Sequence, residues 1–232
     1  MADTAASSLA TSLLRGCCFE TDRLLVQEFQ PTFSRWHSAA ESRDHEFDIA
    51  SVVVASVLTE EVTKPLPPHW QGPYSPDRAR QWMCDLIDEP MTTLLFAVAK
   101  DRGREDTERS GDQKDALKMA SDSIVGLVIA FEMDVEGSES QKDIRLGYLL
   151  SERFWGRGFA SELVKGFVSW CRQFNETDTP QIASIIGGVA RTNVASKRVL
   201  AKNGFQSLSG VGPSADGEDE PEEEEFQLQL IG

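Results

Sequence analysis

One junction constrains the fold of this chain more than any other. Tyr148-Leu149-Leu150 ends a short apolar strand, and Ala160, Leu163, Val164, Phe167, Val168 and Cys171 then recur three to four residues apart. That spacing marks one face of a helix. Between strand and helix stands Arg153-x-x-Gly156-Arg157-Gly158. Glycine permits backbone angles closed to other residues and removes the Cβ that would shield main-chain N–H groups. A helix N-terminus adds free donors and partial positive charge. Together they make a seat for a phosphate or pyrophosphate, and Arg153 and Arg157 bring charge that suits phosphate oxygens. The same glycine pair also serves an ordinary tight turn. A dinucleotide-binding unit needs a third glycine, where this chain has Ser161, and the Walker lysine pattern is missing.

A second signature follows at Asn193-x-x-Ser196, which opens a helix that stops at Asn203-Gly204-Phe205. Asn193 offers both a donor and an acceptor to an amide ligand; it is also among the best N-cap residues. Ser196 reads equally as a first-turn serine. Near the N-terminus, Glu20 to Phe29 alternates and ends before Pro31, as a first strand does. Pro68 to Leu86 is a proline-aromatic loop followed by an acid-capped helix.

These phrases, over most of residues 18–208, resemble the GNAT (GCN5-related N-acetyltransferase) superfamily, and within it the ribosomal-protein-alanine acetyltransferase subgroup. The resemblance implies an α/β GNAT fold: a mixed central sheet with flanking helices, whose two central parallel strands splay apart to admit acetyl-CoA as co-substrate. Those strands would be 144–150 and 181–189. Main-chain groups of Leu149, Leu150 and Ser151 would pair with the pantetheine and the thioester. The turn Arg153, Gly156, Arg157, Gly158, Phe159, Ala160 and Ser161 would hold the pyrophosphate, and Asn193 a pantetheine amide. The subgroup places a serine at Ser196 near the leaving sulfur, as proton donor or thiol partner.

Three positions depart from the superfamily pattern. A Tyr seven residues after the Asn is replaced by Leu200, a Glu five residues before it by Gly188, and an acid before the Gly-Tyr pair by Arg145. No motif therefore fixes a catalytic carboxylate. Glu132 and Asp143 flank the right strands and are candidates to activate the amine through water; both also read as ordinary strand-end acids. His69, Trp70, Tyr74 and Tyr148 are candidates to wall the acceptor pocket. Core packing is the alternative for the aromatic rings, and an exposed loop for His69.

The expected reaction is transfer of acetyl from acetyl-CoA to a primary amine by direct attack in a ternary complex, most simply to a protein or peptide N-terminus. An α-amine has a pKa near ~8, so part of it is neutral at cellular pH without a strong base, whereas lysine-like amines near ~10.4 demand one more urgently. A small-amine acetyltransferase, for polyamines or antibiotics, and a non-catalytic acyl-CoA-binding module are the alternatives.

Length and charge bound the rest. A chain of 232 residues suits one domain, expected over 18–232 behind a loose tail at 1–17. Polar insertions are expected near 100–121, 134–142 and 210–224. The net charge is −15, and eight of the ten residues from Asp216 to Glu225 are acidic, which argues against a nucleic-acid partner and for a solvated loop. Four cysteines show no metal or disulfide spacing, so no metal is expected and a reducing, cytoplasmic setting is. The longest apolar run, Ala50 to Leu58, falls short of a membrane span. Monomer and homodimer are both compatible. The expected elements are strands at 19–29, 92–99, 123–132, 144–150, 181–189, 205–209 and 225–231, and helices at 32–43, 46–58, 76–88, 157–173 and 193–202.

Overall fold

The computed structural model describes residues 12–30, 39–100, 123–208 and 223–231, with backbone alone over 39–46. Residues 101–121 of the expected 100–121 insertion, most of the 210–224 insertion and residues 216–222 of the acidic run lie outside the described residues.

The elements in chain order are β1 (Cys18–Glu20), β2 (Leu24–Glu28), α1 (Ala39–Val57), α2 (Glu60–Thr63), α3 (Pro76–Asp88), β3 (Thr92–Ala99), β4 (Ile124–Val135), β5 (Ser138–Leu150), α4 (Phe159–Thr177), β6 (Gln181–Ala190), α5 (Val194–Lys202), β7 (Gln206–Ser207) and β8 (Glu223–Gln229). All eight strands form one sheet in the order β1-β2-β3-β4-β5-β6-β8-β7. Every pairing is antiparallel except β5 with β6. This is the expected mixed α/β sheet.

Alternation sends successive side chains to opposite faces and so builds two cores. Leu95, Val128, Ala130, Ile144 and Leu146 meet Phe159, Leu163, Val164 and Phe167 of α4 and Leu200 of α5 on one face. Leu94, Leu127, Ile129 and Leu149 meet Phe47, Val54 and Val57 of α1 and Trp82, Met83 and Leu86 of α3 on the other. Local signals set the helix ends. The Ser75 side chain accepts the Arg78 N–H at the start of α3, with proline in its first turn.

Four expectations need correction. The first strand is two, because the chain turns at Thr21–Arg23 and pairs back on itself. The expected break near 43–46 is bridged by one continuous helix, α1. The expected insertion at 134–142 is the tip of the β4–β5 hairpin, turned by Gly137 at φ +78°. The tail expected over 1–17 packs from Ser12 onward. Leu14 and Cys17 are fully buried, and Glu132 accepts the Ser12 hydroxyl and the Leu14 N–H; residues 1–11 lie outside the described residues. No helix among the described residues is long and apolar enough to cross a membrane.

Candidate functional site

The parallel ladder between β5 and β6 runs from Gln141↔Gln181 to Arg145↔Ile186 and stops. Beyond it β5 continues to Leu150 paired with β4, and β6 continues to Ala190 paired with β8. The two central strands therefore part over their last turns. The Ser151 N–H donates to the Val125 carbonyl at 2.9 Å, which fixes the phase of the alternation. Leu149 and Ser151 turn their main-chain groups toward β4; Tyr148 and Leu150 turn theirs toward the gap. Of the three main-chain donors expected from sequence, Leu150 alone faces the opening, and Tyr148 joins it. The Leu150 carbonyl already accepts the Trp155 indole N–H at 2.8 Å.

The turn after β5 is built by its glycines. Gly156 has φ +69° and Gly158, the N-cap of α4, φ +82°. Both angles are costly for residues with a Cβ. A Cβ on Gly156 would meet nothing within 4 Å, and one on Gly158 only the Arg23 Nη2 at 3.6 Å. No side chain caps α4, so its first N–H groups keep donors for a ligand, a fit for a pyrophosphate. Arg153 reaches the Ile124 carbonyl at 3.3 Å, and Arg157 lies over the Phe154 and Phe159 rings at 5.8 and 5.5 Å.

A third cation stands here that sequence reading missed. Arg23 lies 4.0 Å above the Phe159 ring and donates from Nη1 to the Arg157 carbonyl at 3.1 Å. Its Nε and Nη2 both bind Glu162 Oε2 at 2.6 Å. Glu162 also accepts the Thr21 hydroxyl at 2.6 Å and the Arg23 N–H at 2.8 Å. Burial pushes the Glu162 pKa up, but these hydrogen bonds and the guanidinium together hold it below the usual carboxylate value. Arg23 sits in the first-strand phrase, and its sequence context carries no sign that α4 folds against it.

Across the gap, α5 begins at Asn193, whose Oδ1 accepts the Ser196 N–H at 3.1 Å. The cap role is thus filled by the oxygen, which leaves the amide nitrogen for a ligand. Tyr148 Oη lies 3.4 Å from the Ser196 carbonyl, and burial pushes its pKa to about 12. Asn203 ties the two helices by donating to Ser161 Oγ at 3.3 Å and to the Val199 carbonyl at 2.8 Å. The turn residues, Asn193, Ser196 and Tyr148 are brought together.

Glu132 and Asp143 are not. Glu132 opposes Ile144 in the ladder, and its carboxylate is taken by Ser12 and Leu14. Asp143 accepts the Ser184 hydroxyl at 2.7 Å, and Gln227 donates to that same oxygen at 2.9 Å. Both acids sit at the closed end, where β5 and β6 still pair. Trp70 and Tyr74 pack against Trp82, with ring centroids 6.0 and 6.2 Å apart. The Tyr74 hydroxyl donates to the Trp70 carbonyl at 3.1 Å. His69 is exposed beside Trp70.

A family model described as an acetyltransferase (GNAT) domain matches residues 41–206. Among solved structures, the chain is similar to a ribosomal L7/L12 alpha-N-protein acetyltransferase in complex with coenzyme A. The TM-score is 0.58 and the identity 12%, covering 91% of this chain and 97% of that one. It is similar to a ribosomal-protein-S5-alanine acetyltransferase from Vibrio fischeri, with a TM-score of 0.52, 14% identity and coverage of 92% and 96%. A microcin C7 self-immunity acetyltransferase in complex with acetyl-CoA and AMP matches with a TM-score of 0.55 and 11% identity, over 90% of this chain and 93% of that one. At these identities the likeness is one of fold. No curated protein matches the chain in sequence.

Proposed function

The chain belongs to the GNAT acetyltransferase family, and from that membership we propose that it carries acetyl from acetyl-CoA to the α-amine of a protein or peptide. The observation that carries this reading is the β5–β6 opening, with main-chain donors of Tyr148 and Leu150 on one wall and the Arg-bearing turn at its end. Acetyl-CoA supplies the activated acyl group as a thioester. The residues present suit it. Gly156, Gly158 and the first N–H groups of α4 receive the pyrophosphate, while Arg153, Arg157 and Arg23 offset its charge. The Asn193 amide nitrogen binds a pantetheine carbonyl. The Leu150 N–H stabilises charge on the thioester oxygen as the amine attacks. Ser196, in the first turn of α5, donates toward the departing sulfur.

The acceptor enters from the other face of the sheet. There Gly188 and Glu223 are exposed, and Arg145, Gly147, Ile186, Glu225 and Gln227 are only partly buried. An open half-face suits the end of an extended chain better than a small molecule, which a closed pocket would bury. Its carboxylates favour a cationic amine. The test is acetyl transfer, followed by mass spectrometry and thiol release, to peptides with free N-termini, to N-terminally blocked peptides bearing lysine, and to polyamines. Turnover is expected on the free α-amines. Turnover confined to polyamines would assign the chain to small-amine chemistry instead.

A further inference from the structure

We propose that Glu223 of β8 is the general base of this enzyme, receiving the proton that the acceptor amine must lose before it attacks. The inference rests on the reading of the β5–β6 gap as the transfer site.

It begins from two bare backbone positions. Continuing the β5–β6 register past Arg145↔Ile186 sets Gly147 opposite Gly188 across the gap. A Cβ on Gly147 would have only the Ile129 carbonyl near it, at 3.8 Å. Neither strand wall projects a side chain here, so at this level the gap is a slot walled by bare backbone. Tyr148 and Leu150, whose N–H groups line the gap, lie one and three residues along from Gly147. That is about 3–10 Å at the rise of a strand.

Glu223 fills the space over that slot from the neighbouring strand. On β8, Glu225 directly opposes Gly188, and Glu223 lies two residues away on the same face. A Cβ on Gly188 would sit 3.1 Å from Glu223 Oε2 and 3.2 Å from Arg145 Nη2. The carboxylate beside this point of β6 is therefore lent by β8. Arg145 Nη2 is committed to Glu225 Oε1 at 2.9 Å. Among the described residues no hydrogen bond or ion pair engages the Glu223 carboxylate, while its backbone pairs with Ala190. Arg145 from β5 and Glu225 from β8 share its face; the Lys197–Glu224 pair lies on the other face.

The step balances simply. An N–H bond of the incoming ammonium breaks, and its electron pair stays on nitrogen as the nucleophilic lone pair. The proton bonds to Glu223 Oε2, directly or through one water, and the resulting carboxylic acid later returns it to solvent.

Glu223→Gln keeps the side-chain size and removes the proton acceptor. With a peptide acceptor near pH 7, where only about a tenth of an amine of pKa about 8 is neutral, kcat/KM is expected to fall roughly tenfold. The Kd for coenzyme A, by calorimetry, should stay within about twofold. The deficit should narrow as pH rises past the acceptor's own pKa of about 8, where the amine arrives neutral. Glu223→Asp, which keeps a carboxylate on β8, should stay within about threefold of wild type. Equal rates for wild type and Glu223→Gln at every pH would overturn the proposal while leaving acetyl transfer intact. A parallel loss of coenzyme A affinity would make Glu223 a structural residue and overturn it too. A wild-type enzyme that acetylates no amine would remove both this role and the function on which it rests.

Discussion

Gly126→Ala is the sharpest test of the geometry at the gap. Gly126 opposes Leu150 on β5. A Cβ added there would lie 2.2 Å from the Leu149 carbonyl oxygen and 3.1 Å from the Leu150 Cα. A carbon and a carbonyl oxygen need about 3.3 Å, so β5 must retreat by about 1.1 Å. Such a shift would stretch the Ser151 N–H to Val125 bond, now 2.9 Å, beyond the useful range of about 3.2 Å. Overpacking against backbone costs about 1–3 kcal/mol, and the lost hydrogen bond about 0.5–1.5 kcal/mol. Together that is roughly 2–4 kcal/mol. At about 2–4 °C per kcal/mol for a chain of this size, Tm should fall by roughly 4–16 °C. Gly147→Ala is the control. Its Cβ would touch only the Ile129 carbonyl at 3.8 Å, an ordinary contact, and Tm should move by less than about 2 °C. Thermal melts of both variants decide the matter, and calorimetry should show coenzyme A affinity reduced in Gly126→Ala. If the two variants melt alike, the close approach of β4 to β5 is not what shapes the gap.

Gly158→Val places a branched side chain at φ +82°, which costs about 1–2 kcal/mol of backbone strain; a modest drop in Tm with loss of coenzyme A binding by calorimetry is expected. Ser196→Ala should slow turnover by roughly ten- to a thousand-fold with little change in the Kd for coenzyme A, and an unchanged kcat where chemistry limits the rate would reduce Ser196 to a helix residue. Glu162 has a native pKa lowered from its usual 4.5, so its contribution to stability is present above that value and lost as pH falls through the lower native one. Acid melts of Glu162→Gln should accordingly start from a lower Tm at neutral pH and decline less steeply below about pH 4.5.

The elements most legible in the sequence were those whose signals are local. Helix α3 and strand β3 have the expected bounds because Ser75-Pro76 caps one and a clean apolar run makes the other. Helix α4 starts two residues later than expected because Gly158, at positive φ, caps it rather than belonging to it, and it runs on to Thr177 because nothing before Asp178 breaks it. The glycine turn and the Asn193 cap were readable for the same reason: each is complete within a few residues. Glu132 and Asp143 sit on the right strands but at the wrong end, and only the register, a long-range property, tells the two ends apart. Arg23 and Glu223 are distant in sequence from the groups they serve, and it is the sheet order that delivers them.

Synthesis from the N-terminus gives that sheet order a further meaning. The ribosome releases β6 well before β8, yet β8 is its neighbour on the side away from β5. Until it docks, β6 presents a row of unpaired main-chain groups that can template pairing with another chain. The same strand brings Glu223. A nascent chain can thus complete the glycine turn and both walls of the gap while β8 is still missing, and Glu223 arrives in the same folding step that covers the open edge of β6.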